Sequence, residues 1–140
     1  MVDYNERIKF IRQINTTSQA DIFIGMHGAG LTHLLFLPDW AAVFEVYNCG
    51  DKYCYWDLAR LRGVKYFTWP ESKNHLIRPE KEGKHPANGQ KHEKFANYFV
   101  DVDEFVRIVQ KMVEHVRRHP KFVAARRVIR RKLMKSRTEL

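Results

Sequence analysis

The sequence predicts an α/β fold, and three observations carry that expectation. Residues 21–26, 41–47 and 64–69 are short runs that read as strands, and the first, β-branched and aromatic, has the composition of a strand buried on both faces. Segments of helical spacing separate them. A strand, short loop, helix, strand, helix, strand order needs crossover connections, so the strands should be parallel. The arrangement expected is a Rossmann-like parallel sheet with flanking helices over residues 1–120, followed by a basic C-terminal tail over 121–140.

Each element has its own signal. Between Tyr4 and Ile14, Ile8, Phe10, Ile11 and Ile14 recur at helical spacing, and Thr16, Thr17 and Ser18 mark the end of that helix. The first strand runs Asp21-Ile-Phe-Ile-Gly-Met26. The turn His27-Gly-Ala-Gly30 follows it and leads into Leu31-Thr-His-Leu-Leu-Phe-Leu37, a short helix that Pro38 and Asp39 close. After the second strand, residues 55–61 read as helical, and Arg62-Gly63 ends them before the third strand. Residues 70–95 hold Gly, Pro, Asn, His and Lys with little periodicity and read as a long surface loop. The clearest helix spans 101–118, where Val102, Phe105, Val106, Val109, Met112, Val113 and Val116 form one stripe. Pro120 should break the chain after it.

Composition bounds the function. The chain has 140 residues, 44% of them hydrophobic, enough for one core and too apolar for a disordered basic tail. Its formal charge of +9 invites a nucleic-acid reading. However, eight of the 25 basic residues and one of the 16 acidic ones fall after Pro120, so the first 120 residues are nearly neutral. A nucleic-acid footprint spread over the whole domain is therefore not expected. Residues 123–134 can form a helix, with Val123, Val128 and Leu133 among arginines, and the basic segment reads either as a surface for an acidic partner or as a solvated tail. No apolar run approaches the roughly 20 residues of a membrane helix. Asp3, Glu6 and Lys9 interrupt any apolar stretch after Met1, so no secretory signal is expected in the sequence as it stands.

The glycine-rich turn is the main chemical feature. It follows a buried strand and precedes a helix, the place where open α/β sheets bind ligands and where free amides suit a phosphate or diphosphate. Gly28 and Gly30 allow close backbone approach, Thr32 offers a hydroxyl and His27 an imidazole N–H. The pattern is shorter than Gly-x-Gly-x-x-Gly and lacks the lysine of a P-loop, so a purely structural βα turn remains the alternative. Glu45 is a charge inside the apolar run Val43-Phe-Glu-Val46. At that strand's carboxyl end it either accepts hydrogen bonds from a ribose or is an outward-facing or salt-bridged strand residue. Asp101-Val-Asp103 matches the Asp-x-Asp of metal-dependent transferases, but Glu104 three residues after Asp101 has the spacing of a helix cap. Cys49 and Cys54 are either a disulfide or two thiols, according to compartment. Asn15-Thr-Thr17 is an N-glycosylation sequon. His75, His85 and His92 in the long loop read as solvated.

Residues 21–49, from Asp-Ile-Phe-Ile-Gly-Met-His-Gly-Ala-Gly-Leu-Thr through Leu-Phe-Leu-Pro-Asp-Trp-Ala-Ala to Glu-Val-Tyr-Asn-Cys, resemble glycosyltransferase family 61. The resemblance continues through Asp57-Leu-Ala-Arg-Leu-Arg-Gly-Val64 to Asp103. The Leu-Phe-Leu-Pro-Asp-Trp-Ala-Ala extension is most like the family's branch that acts on EGF-like domains. Xylosyltransferases and a protein O-mannose N-acetylglucosaminyltransferase are the competing branches. The resemblance implies the C-terminal, nucleotide-binding portion of a metal-free, inverting GT-B glycosyltransferase. Such an enzyme transfers N-acetylglucosamine from UDP-GlcNAc to Ser or Thr of EGF-repeat proteins in the endoplasmic reticulum lumen, with no nucleic-acid partner and no transmembrane segment. It also implies donor binding at His27, Gly28, Ala29, Gly30, Leu31, Thr32 and Glu45, and a disulfide between Cys49 and Cys54. The last four residues, Arg137, Thr138, Glu139 and Leu140, compare with the Lys/His-Asp-Glu-Leu retrieval signal of lumenal relatives. No residue is assigned as the general base, and the acceptor-binding side is expected to lie in sequence not present here.

Overall fold

The computed structural model describes residues 7–46, 51, 53–92 and 95–138. Its centre is a parallel sheet of three strands in the order β1 (Ile22–Gly25), β2 (Ala42–Glu45), β3 (Lys65–Thr68). The register sets Phe23 beside Val43 and Val43 beside Tyr66, and ends with Gly25 beside Glu45 and Glu45 beside Thr68. Every residue of β2 is buried, Glu45 included, whereas β1, expected to be buried on both faces, is only partly covered, with Ile24 37% exposed.

Alternation along β2 builds two cores. Val43 faces a layer made by the 3-10 helix Ala29–Phe36 and by α2 (Cys54–Arg62; α1 is Phe10–Thr17), with Leu31, Leu34, Tyr55 and Ala59 buried against it. Ala42 and Phe44 face the opposite way, toward Ile108, Met112 and Val116 of α3 (Val102–Arg118). The molecule is thus an α/β/α sandwich around a small parallel sheet, compatible with a Rossmann-like fold. Among the described residues no helix is long and apolar enough to cross a membrane.

Helix ends follow local chemistry. Gly63 takes the left-handed conformation, φ 81°, and its N–H bonds the Ala59 carbonyl to close α2. Asp101 caps α3, its Oδ1 accepting the Glu104 N–H at 2.8 Å. The short helix after the glycine turn is a 3-10 helix rather than an α-helix. Its arginine clamp comes from elsewhere: Arg62 Nε donates to the Leu35 carbonyl at 3.0 Å and Nη1 to Asp39 at 3.0 Å.

Two expectations differ from the structure. Residues 70–95 are not a featureless loop. They contain a 3-10 helix, Glu71–Leu76, and a strand, β4 (Ile77–Pro79), which pairs antiparallel with β5 (Tyr98–Val100). Ile77 and Val100 pack onto the α3-side core. These strands are three residues long and nearly twenty apart in sequence, so no local period announces them. The second difference lies at Pro120, which does end α3 but begins α4 (Pro120–Thr138) instead of releasing a tail. His119, before the proline, is extended and cannot continue α3, while Pro120 fits the first helical position. Phe122 then packs on the core, edge-on to Trp40 at 6.0 Å, and Lys121 pairs with Asp39.

Candidate functional site

The carboxyl ends of β1 and β2 meet where Gly25 lies beside Glu45. A Cβ at Gly25 would stand 3.0 Å from Leu31 Cδ2, so the strand end and the 3-10 helix are in direct contact. The chain between them turns at Gly28, whose φ of 155° and ψ of 172° lie in a region essentially restricted to glycine. The first hydrogen bond of the turn runs from Leu31 N to the Gly28 carbonyl at 2.9 Å. The amides of Ala29 and Gly30 precede that donor and have no acceptor within the helix. A Cβ at Gly30 would meet nothing within 4 Å, so the helix opens onto clear space at that residue.

His27 stands beside this opening and is fixed from behind. Its Nδ1–H donates to Glu45 Oε1, and Tyr66 Oη donates to Glu45 Oε2. Tyr55 of α2 meets the imidazole edge-on, ring centres 5.0 Å apart. Glu45 is only 3% exposed, and both of its oxygens are engaged within the protein. Of its two readings, the salt-bridged strand residue is the one this arrangement realises, with His27 as the partner. The burial of a carboxylate here is offset by those two donors.

The other sequence-derived positions sort by geometry. Thr32 is exposed, and its hydroxyl donates to the Ala29 carbonyl at 2.7 Å. Leu31 is 1% exposed and belongs to the core, so its side chain is structural. His33, which the sequence reading passed over, is buried, and its Nδ1–H donates to the Gly30 carbonyl at 3.1 Å. It thereby braces the turn, with Phe10 edge-on at 5.9 Å. Tyr55 and Tyr66 were also not foreseen. The available signal was strand register: Tyr66 shares a face with Val43 and Glu45 and stands diagonal to the carboxylate, within reach of a long side chain.

Away from the turn, Asp101 is the cap of α3 and Asp103 lies in that helix's first turn. Among the described residues no three His, Cys, Asp or Glu side chains are grouped to hold a metal ion. The same helix start holds Glu104, buried between Arg107 and Lys73, and the Arg107 hydrogen bonds, then that of Lys73, pull its pKa from 4.5 to about 2. Lys121, then Arg62, likewise lower the pKa of Asp39. Asn15 lies in the last turn of α1 with its side chain at the surface, while Thr17 of the same sequon is buried and donates to the Gln13 carbonyl at 3.0 Å. Cys49, Glu139 and Leu140 lie outside the described residues, so the Cys49–Cys54 pairing and the second half of the C-terminal tetrapeptide do as well, while Arg137 and Thr138 end α4.

Comparison with known proteins points to a transferase family. Residues 1–44 match the Glycosyltransferase 61 family. The EGF domain-specific O-linked N-acetylglucosamine transferase of Xenopus laevis is 56% identical over 123 residues, covering 87% of this chain and 23% of that protein. The Mus musculus protein of the same name is also 56% identical over 123 residues. The Drosophila melanogaster one is 55% identical over 117 residues, 84% of this chain and 22% of its own length. The chain thus spans about a quarter of the length of these relatives. It is related, over nearly nine-tenths of its own length, to one portion of the EGF domain-specific O-linked N-acetylglucosamine transferases of the glycosyltransferase 61 family.

Proposed function

We infer that this chain supplies the donor-nucleotide side of a glycosyltransferase acting on EGF-like domains. The reading is of a GT-B enzyme of the endoplasmic reticulum lumen, transferring N-acetylglucosamine from UDP-GlcNAc to Ser or Thr with inversion and without a metal. The relatives' names support the acceptor and the sugar. The observation that carries the donor role is the turn itself. Its Ala29 and Gly30 amides point out of a helix start at the carboxyl ends of β1 and β2, and at Gly30 no side chain stands in the way.

In this reading the diphosphate lies against the amides of Gly28, Ala29 and Gly30, and the Thr32 hydroxyl turns from the Ala29 carbonyl to donate to a phosphate oxygen at its edge. His27 stands beside it. Glu45 acts through His27, holding the ring by Nδ1 and fixing its tautomer. When the sugar–phosphate bond breaks, negative charge develops on the leaving UDP, and preorganised amides together with the imidazole stabilise it. The acceptor hydroxyl and the base that deprotonates it belong to the remainder of a longer catalyst.

The assignment is checked by amide resonances of the isotopically labelled chain during titration with UDP-GlcNAc. Shifts concentrated at residues 27–32 are expected, persisting in the presence of a chelator. Shifts centred elsewhere, or dependence on added metal, would overturn it.

A further inference from the structure

The last two helices enclose a trough of about 810 Å³ beside the edge strand β1. Its rim carries four guanidinium groups: Arg117 from the end of α3, and Arg126, Arg127 and Arg130 from α4. Among the described residues none of the four is in an ion pair. The single carboxylate at the rim, Asp21, is occupied by the Trp40 indole N–H at 2.7 Å. The floor is aliphatic, with Ile22, Val116, Val123 and Ile129. Ile129 remains half exposed.

Such a surface combines two demands on its occupant. Four guanidinium groups against the one carboxylate of Asp21 leave a local positive potential that favours further carboxylates. Arg126 and Arg130 are one helical turn apart, which matches acidic side chains repeated every three or four residues on a partner helix. Aliphatic side chains line the same trough as the arginines and offer apolar contact to an occupant. A nucleic acid satisfies only the charge, since its phosphates leave that floor wet. A lipid surface needs apolar groups that protrude rather than recede.

We propose that the trough between α3, α4 and β1 docks an acidic amphipathic helix of a protein partner, apolar residues in the floor and Asp or Glu against the arginine rim. This surface is separate from the glycine turn, and its role is independent of donor binding.

The test measures fluorescence anisotropy of a labelled peptide of about 20 residues with leucines on one helical stripe and glutamates flanking it. Saturable binding is expected. It should weaken by about tenfold or more with the double variant Arg126→Glu/Arg130→Glu, and with a scrambled peptide of the same composition. Ile129→Ser, which removes floor and leaves the charge, should weaken it by about threefold or more. No saturable binding, or equal affinity for the scrambled peptide, would overturn the proposal. So would tighter binding, at the same salt, of a thymidine strand of about 20 nucleotides or of vesicles containing phosphatidylserine. If the double variant fails to keep its far-ultraviolet circular dichroism, Ile129→Ser and the scrambled peptide decide.

Discussion

At Gly28 and Gly30 the same residue type answers two different constraints. Gly28 needs glycine for its backbone, since φ 155° with ψ 172° strains any side chain. Gly28→Ala should therefore cost stability, about 1–3 kcal/mol by urea denaturation, and an unchanged midpoint would contradict that reading. Gly30 has no such strain, and its Cβ would enter open space. Gly30→Ala should leave stability within about 0.5 kcal/mol, because nothing in the fold opposes it. Glu104 gives a pH signature. Its folded pKa of about 2 lies below the ordinary 4.5, so the stabilisation is complete above 4.5 and drains away as pH falls toward 2. Glu104→Gln should flatten thermal stability across that window, and a parallel decline of variant and parent would contradict it. Asp101 and its Glu104 partner were legible in the sequence because a cap is a local, three-residue pattern. The Tyr66–Glu45–His27 chain was not, because its members come from three elements joined only by sheet register.

Among the elements, the strands of the parallel sheet were readable because each is a self-contained apolar run. Their helical connections were too, apart from the tighter 3-10 winding of Ala29–Phe36. The β4–β5 ribbon was hidden, since its pairing depends on a fold-back rather than on composition. Gly83 lies inside that fold-back, where an added Cβ would sit 2.4 Å from the His92 carbonyl oxygen and 2.5 Å from Ala96 N. Both are backbone atoms, so nothing there yields cheaply. Gly83→Ala should accordingly raise proteolytic cleavage within residues 80–97, and an unchanged cleavage pattern would show that the ribbon tolerates the shift. Met112 makes the corresponding point for α3. It is fully buried against Phe44's layer, and truncation to Ala should cost about 2–5 kcal/mol.

For the whole molecule, the charge pattern is the part that misleads. Eight basic residues after Pro120 suggest a detachable tail, yet the first turn of α4 belongs to the fold through Phe122 and Lys121. One aromatic residue and one ion pair hold this first turn, and they register little against so many arginines. Deleting residues 120–140 should lower the melting temperature by several degrees, while deleting 124–140 should lower it much less. Equal effects would return the segment to the status of an appendage. The proposed donor role rests on the turn at the strand ends, held by the sheet and its two helical layers, receiving a nucleoside diphosphate. Calorimetry of the chain with UDP tests it most directly, comparing the parent with Gly30→Val. The account predicts saturable, millimolar-range binding by the parent and its loss in a variant whose circular dichroism and melting temperature are unchanged. A folded parent that binds no UDP, or a variant that binds it equally well, would contradict the account.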